Sequence, residues 1–346
     1  MAIAEREAAA EAVTGLVDAA IDRAPDAVLR WAIRRNCARR LARERRGGDA
    51  QQRALARRLR AAPIADRVET ANEQHYEVPV DFFRLVLGPR LKYSCCCWPR
   101  GVEGLAAAEE AMLALTCERA EVEDGMRVLD LGCGWGSLTF WLAERLPGSR
   151  IVAVSNSRLQ REVIEQEAHR RGCERIEVVT ADVNVFAPGG RFDRILSVEL
   201  LEHARNYPEL LRRLGAWLAP GGKLFVHVFS HREYAYPFES GWIARNFFTG
   251  GTMPSHDLVP SLAADLRVED EWRLDGTHYA RTAEAWLDRL DARRDEVQAV
   301  LAARYGVEEA SRRTQMWRVF FMACAETWGY RGGTEWGVSH YRFAHG

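Results

Sequence analysis

Three glycines within five residues, Gly132, Gly134 and Gly136 of Arg127-Val-Leu-Asp-Leu-Gly-Cys-Gly-Trp-Gly136, narrow the choice of fold at once. Val128, Leu129 and Leu131 make a short apolar run with the bulk and branching of a buried strand, with Asp130 between them. The glycines then strip the β-carbons from the turn that follows, so a ligand can approach its backbone closely. Beyond it, Ser137-Leu-Thr-Phe-Trp-Leu-Ala-Glu-Arg145 reads as an amphipathic helix whose first N–H groups face whatever binds at the turn. The spacing is Gly-x-Gly-x-Gly, not the Gly-x-Gly-x-x-Gly of dinucleotide folds.

The same alternation continues downstream. Strands are expected near Arg127–Leu131, Arg150–Val154, Ile176–Thr180, Phe192–Val198 and Lys223–Phe229, with helices at 137–146, 157–171 and 207–218 between them. Strands alternating with helices predict a doubly wound, mainly parallel sheet with its ligand beyond the carboxyl ends of the strands. Ala219-Pro-Gly-Gly222 is a turn before the fifth strand. An insert follows from Ser230 to about 265, then a strand at Val268–Leu274, a helical segment from Thr282 to about Trp328, and a last strand at Glu335–Ala344. Upstream, residues 1 to about 62 read as helices broken at Arg23-Ala-Pro-Asp26 and Gly47-Gly-Asp49, and Glu103 to Ala120 as another. A chain of 346 residues exceeds the usual single compact domain.

A net charge of −1 gives no global reason to expect nucleic acid or anionic membrane as partner. Arginines crowd the segment Arg23 to Arg67, which lacks lysine; they are either the solvated face of a helical pair or a phosphate-binding surface. The eight cysteines follow no metal-ligand spacing, since Cys95, Cys96 and Cys97 are consecutive and the rest are scattered, so they are expected to be reduced and no metal is expected. Met1-Ala-Ile-Ala-Glu-Arg-Glu interrupts any apolar leader with charge, and nowhere do about 18 apolar residues run together. A cytoplasmic protein without stable membrane association is expected. The N-terminal helices either cover the pocket as a lid or pair two chains into a homodimer.

With Asp130 ahead of it, the glycine string resembles motif I of the class I S-adenosylmethionine (SAM) methyltransferases, whose turn holds the methionine end of SAM. Such enzymes usually place an acid after strand two; here Val154-Ser-Asn-Ser-Arg-Leu-Gln160 has none. Ser155, Asn156, Ser157 and Gln160 agree with one subfamily, in which a Ser/Thr-Asn-Ser-x-x-Gln stretch serves the ribose. Asp182 and Val183 close strand three, where the acid either accepts from the adenine amino group or caps a turn. Strand four ends in Ser197-Val-Glu-Leu-Leu-Glu-His203, which crowds Glu199, Glu202 and His203 into five positions. Such a cluster is either a proton-handling site or a helix start with acids at its positive end. His227 either lines the pocket or joins the core; His231, Tyr234 and Tyr236 are expected as pocket walls. Trp242, Phe247 and Phe248 read as core or as a cage for a cation.

From about residue 65 onward the chain resembles the coclaurine N-methyltransferase-like branch of the cyclopropane-fatty-acid synthase superfamily. The resemblance rests on Gln74-His-Tyr-Glu-Val-Pro-x-Asp-Phe82, Lys92-Tyr-Ser-Cys-Cys96, Cys117-Glu-Arg-Ala120, the glycine turn, Ser155 to Gln160, Glu199-Leu-Leu-Glu-His203, Asn206-Tyr207, Gly276-x-His-Tyr279, Trp317-Arg-x-Phe320, Gly329-Tyr330, Glu335-Trp336 and Ser339-His340. It implies an α/β Rossmann-like class I SAM methyltransferase sheet of seven strands, mainly parallel with the last antiparallel. An N-terminal helical extension (1–64) precedes a catalytic domain (65–346) whose SAM-binding core spans 120–230 and whose substrate-covering insert spans 231–265 and 275–330. SAM is the implied cofactor, held by Tyr93, Ser94, Asp130, the glycine turn, Ser155 to Gln160 and Asp182-Val183, with S-adenosylhomocysteine (SAH) as product. Glu199, Glu202 and His203 are the implied deprotonating set for a small amine.

The lipid-modifying cousins compete with this expectation. They hold bicarbonate with a Cys, Glu, His and Tyr set, of which this chain matches Cys95, Glu202 and His227 but carries Phe320 or Phe321 at the tyrosine. A phosphate or nucleic-acid binder built on the arginines is the non-enzymatic alternative, without an aromatic-interleaved basic strand to support it.

Overall fold

Branched and aromatic runs become strands where expected. The computed structural model describes residues 21, 23–65, 78–238, 241–263 and 265–346. Its main strands are β1 (Arg127–Leu131), β2 (Arg150–Ser155), β3 (Ile176–Thr180), β4 (Phe192–Val198), β5 (Leu218–His231), β6 (Leu266–Asp275) and β7 (Trp336–His345). All seven join one sheet in the order β3-β2-β1-β4-β5-β7-β6. The strands β1 to β5 pair in parallel and β7 runs antiparallel to β5 and β6, as the sequence implied. The order reverses beside β1, and that switch point is where an open parallel sheet leaves a crevice past its strand ends. One boundary differs. The Ala219-Pro-Gly-Gly222 turn lies inside β5 as a bulge, with Gly221 at φ +74°, because Leu218 already pairs with Phe192 before the register shifts.

Nine helices are used below. They are α1 (Asp26–Ala61), α2 (Val80–Val86), α3 (Leu105–Ala120), α4 (Ser137–Arg145), α5 (Arg158–Arg171), α6 (Tyr207–Trp217), α7 (Thr277–Ala292), α8 (Arg294–Tyr305) and α9 (Val307–Trp328). Pro25 precedes α1 and Gly48 kinks it at φ +51°, which accounts for both breaks read from sequence. The expected segment from Thr282 to Trp328 starts earlier, at Thr277, and is divided at Arg293 and Gly306.

The sheet is covered on both faces. Leu113 and Cys117 of α3 pack on Val128, Ile151 and Phe225, while Tyr207, Leu210 and Leu214 of α6 pack on Leu131, Val154 and Val226. A third core joins α2, α7 and α9 through Phe82, Phe83, Trp286, Trp317 and Phe321. Helix α1 enters two of these cores, by Leu29, Cys37 and Leu41 at one end and Leu55 and Leu59 at the other. Some of its arginines reach other elements. Arg30 bonds Glu284 (2.8 Å) and Glu326 (3.0 Å), Arg34 bonds Glu326 (2.7 Å), and Arg40 lies 4.6 Å over the Tyr236 ring. Arg35, Arg39, Arg43 and Arg46 remain exposed. Among the described residues no helix is long and apolar enough to cross a membrane. Gln74 to Glu77 of the first motif lie outside the described residues.

Candidate active site

Past β1 the backbone turns through three left-handed glycines, Gly132 (φ +83°), Gly134 (φ +54°) and Gly136 (φ +82°). The turn ties itself down: the N–H groups of Gly132 and Cys133 donate to the Val154 carbonyl (2.9 and 3.0 Å), and that of Gly136 donates to the Cys133 carbonyl (2.9 Å). These three N–H groups are therefore used by the turn itself. A β-carbon on Gly136 would lie 2.8 Å from Phe140, so that glycine serves the packing of α4. A β-carbon on Gly134 would meet nothing within 4 Å, and it would occupy space that two clefts share.

The first cleft, about 880 Å³ of empty space, is lined by Gly132, Gly134, Ser155, Asn156, Gln160, Asp182, Val183, Glu199 and His203, among others. The second is lined by Lys92, Tyr93, Ser94, Asp130, Trp135 and Ser137, and meets the first at Gly132, Gly134, Gln160 and Glu199. Together they suit a long ligand laid across the glycine turn. Polar atoms wait there. Gln160 Nε2, Trp135 Nε1 and Ser137 Oγ are buried without partners. An unpartnered buried donor is costly, so a ligand that accepts from these groups would relieve them.

The stretch after β2 is a local network. Ser155 donates to Gln160 Oε1 (2.6 Å) and accepts from the Ser157 N–H (3.0 Å), which fixes the Gln160 amide at the cleft wall. Ser157 lines neither cleft; it caps α5 by accepting from the Gln160 N–H (3.3 Å). Asp182 lines the first cleft and also caps its own turn, accepting from the backbone N–H (2.8 Å) and side-chain amide (2.9 Å) of Asn184. Asp130 is buried, accepts from Thr139 Oγ1 (2.6 Å), and is pushed by burial to about 6.

Beyond β4 stand the two acids and the imidazole. Glu199 has φ +49°, a strained value for a non-glycine residue that the structure holds by three bonds to its carboxylate. Its Oε1 accepts from the Cys95 N–H (2.9 Å) and faces His227 Nε2 (3.2 Å), and its Oε2 accepts from the Tyr279 hydroxyl (2.7 Å). Burial raises its carboxyl, while the buried Lys92 ammonium opposes that shift. Glu202 is completely buried. Its Oε1 accepts from the Phe229 N–H (2.7 Å), its Oε2 has no partner, and burial together with the Glu199 charge raises it far above the usual carboxylate range. His203 stacks on Phe248 with ring centres 5.7 Å apart, and burial lowers it to about 4, so it is a neutral imidazole at ordinary pH. Glu199 and His203 line the first cleft, whereas Glu202 lines neither; an acid and a neutral base on one cleft wall can bind a cation and take a proton from it.

Comparison with known proteins fits this geometry. The family model "Mycolic acid cyclopropane synthetase" matches residues 65–332. The chain belongs to that family. Within it, the chain is 41% identical over 297 residues to (S)-coclaurine N-methyltransferase of Thalictrum flavum subsp. glaucum, covering 84% of this chain and 82% of that one. The cyclopropane-fatty-acyl-phospholipid synthase of Escherichia coli (strain K12) is 28% identical, over 79% of this chain and 68% of the other. A crystal structure of coclaurine N-methyltransferase bound to N-methylheliamine and SAH superposes with a TM-score of 0.91 at 36% identity, covering 96% of this chain and 99% of that one. This family member is a SAM-dependent methyltransferase with the α/β sheet that its sequence implied, nearer to the amine-methylating relatives than to the lipid ones.

The remaining expected pocket residues divide. Cys95 is buried, and its thiol donates to the Cys96 carbonyl (3.3 Å) while its N–H serves Glu199. His227 touches the site only through Glu199. His231 and Tyr236 line neither cleft: His231 Nδ1 accepts from the N–H groups of Glu233 and Tyr234 (2.9 Å each), and the Tyr236 hydroxyl accepts from Trp336 Nε1 (2.7 Å). Their place as pocket walls is thus corrected to the support of the turn after β5. Phe320 stacks on Phe247 at 4.0 Å, Trp242 packs on the same ring, and Phe321 packs on Trp286 and Trp317. Sequence pattern alone assigns no individual role to Lys92, Trp135, Ser137 or Tyr279. Tyr279 stood in a quoted motif, but only folding brings it from α7 to Glu199. Among the described residues no group of His, Cys, Asp or Glu is arranged to hold a metal ion.

Proposed function

We propose that this methyltransferase places a methyl group on the nitrogen of a small secondary or tertiary amine of alkaloid type, with Glu199, Glu202 and His203 as its proton-handling and positioning set. The observation that carries the proposal is the pairing of Glu199 and His203 on the wall of the first cleft, with the buried Glu202 carboxyl close enough to feel the Glu199 charge. A carboxylate on that cleft wall attracts an ammonium group. Amines are largely protonated at neutral pH, and a protonated nitrogen has no lone pair with which to attack. His203, neutral at that pH, and the Glu199 carboxylate supply the acceptors. Bound across the glycine turn, SAM supplies an electrophilic methyl on its sulfonium. Asn156, Gln160, Asp182 and Val183 would hold its nucleoside end, and Gly132, Gly134, Tyr93 and Ser94 its methionine end.

No observation favours acyl-chain chemistry. Both nitrogens of His227 are engaged, one by Glu199 (3.2 Å) and one by His340 (2.9 Å), so the ring is not open to a bicarbonate ion. Phe320 and Phe321 supply no hydroxyl, and Cys95 is a buried thiol whose burial raises it well above its ordinary value. We also assign the protein to the cytoplasm, because its eight cysteines are all free thiols, as a reducing compartment allows. The test is product analysis after incubation with SAM and a tetrahydroisoquinoline. A methyl on the ring nitrogen is expected; a methyl on carbon or oxygen, or none across a panel of secondary and tertiary amines, would refute the assignment.

A further inference from the structure

Behind Glu199 runs a line of hydrogen bonds that the proposed chemistry does not use. Arg119 Nη1 lies 2.8 Å from His340 Nδ1, His340 Nε2 lies 2.9 Å from His227 Nδ1, and His227 Nε2 lies 3.2 Å from Glu199 Oε1. The two histidines are completely buried and are register partners across β5 and β7. Arg119, near the end of α3, is held 4.8 Å over the Trp272 ring of β6. Cys117-Glu-Arg-Ala120 and Ser339-His340, two of the stretches that carry the family resemblance, meet here, and neither touches the clefts.

The line has a direction. A guanidinium only donates, so His340 Nδ1 must accept. A neutral imidazole has one donor and one acceptor, so the His340 proton sits on Nε2 and is given to His227 Nδ1. The His227 proton then sits on Nε2 and is given to Glu199. Burial and the nearby Arg119 and Lys92 cations keep both rings uncharged. Every link points toward the carboxylate and starts at a cation that keeps its protons, so the line cannot drain a proton from Glu199. It can only settle what Glu199 meets.

We propose that Arg119 is a positioning residue: acting through His340 and His227, it fixes the ring proton that faces Glu199, so that the carboxylate meets a donor and stays an acceptor toward the cleft. The kinetic consequence rests on the amine reading, whereas the ring tautomers do not. The experiment is NMR of isotopically labelled histidine in the full-length protein at neutral pH, with His227→Gln and His340→Gln to assign the two rings. Both rings are expected neutral with the proton on Nε2. Arg119→Lys, which still only donates, should keep that pattern, and Arg119→Glu, which accepts, should reverse it in both rings. With SAM and a tetrahydroisoquinoline, Arg119→Glu should lower kcat about tenfold or more at unchanged cofactor KM, and Arg119→Lys should stay within about threefold. A ring protonated on Nδ1 or charged in the unsubstituted protein, or an unaltered pattern in a folded Arg119→Glu protein, would overturn the proposal. If the amine reading alone were wrong, the spectra would stand and only methylation would be missing.

Discussion

Glu202 and His203 are adjacent in the chain, yet burial drives them to opposite uses: a carboxyl raised beside another acid and an imidazole kept neutral. Replacing either should therefore harm turnover and spare cofactor binding. For Glu202→Gln and His203→Ala we expect kcat to fall about 10²-fold or more while SAH affinity, read by calorimetry, stays within about twofold. A parallel loss of SAH affinity would mark the pair as structural. Gly132 gives the opposite signature. Its φ of +83° strains any side chain and a would-be β-carbon 3.2 Å from Leu200 would push that side chain aside, so Gly132→Ala should weaken SAH binding and lower stability by about 1–3 kcal/mol, measured by urea unfolding.

The elements that place these residues were readable in the sequence because each rests on local pattern. The runs Val128 to Leu131 and Phe192 to Val198 are mainly apolar, interrupted by Asp130 in the first and by Asp193, Arg194 and Ser197 in the second, and the glycines after the first need no tertiary context to mark a turn. What long-range packing decides was not readable. Periodicity along β5 left His227 undecided between pocket and core, and only pairing with β7 shows that its ring lies between Glu199 and His340. Likewise, an aromatic cluster gives no sign that Tyr236 will serve Trp336 rather than a substrate. His231 carries a consequence for β5 itself. Its Nδ1 accepts two backbone N–H groups of the turn that follows, which a protonated ring cannot do, and burial lowers it to about 4. An unfolded histidine takes its proton near pH 6.5, so between pH 6.5 and about 4 the unfolded chain binds the additional proton. Its contribution to stability is full above about pH 6.5 and is lost as pH falls toward 4. His231→Asn should flatten that acid limb in Tm measured against pH, and an unchanged slope would show that the ring is charged in the fold.

Across the whole molecule, α1 is what links α7 and α9 to the sheet. It reaches one core through Leu41 and another through Leu55, and Gln52 exchanges two hydrogen bonds with Ala235 on the turn after β5 (3.1 and 2.9 Å). Arg30 and Arg34 dock it against α7 and α9, while most other arginines of the run stay exposed. Leu41→Ala should cost about 2–5 kcal/mol in urea unfolding, more than Arg30→Ala, whose partly exposed pairs should contribute at most about 1 kcal/mol. The central claim is that this assembly delivers a methyl group to an amine nitrogen, and one vessel can decide it. Purified enzyme and SAM would be offered a tetrahydroisoquinoline together with vesicles of unsaturated phospholipid, and both acceptors weighed by mass spectrometry. One methyl on the amine with the acyl chains untouched is expected; modified acyl chains beside an unaltered amine would contradict it.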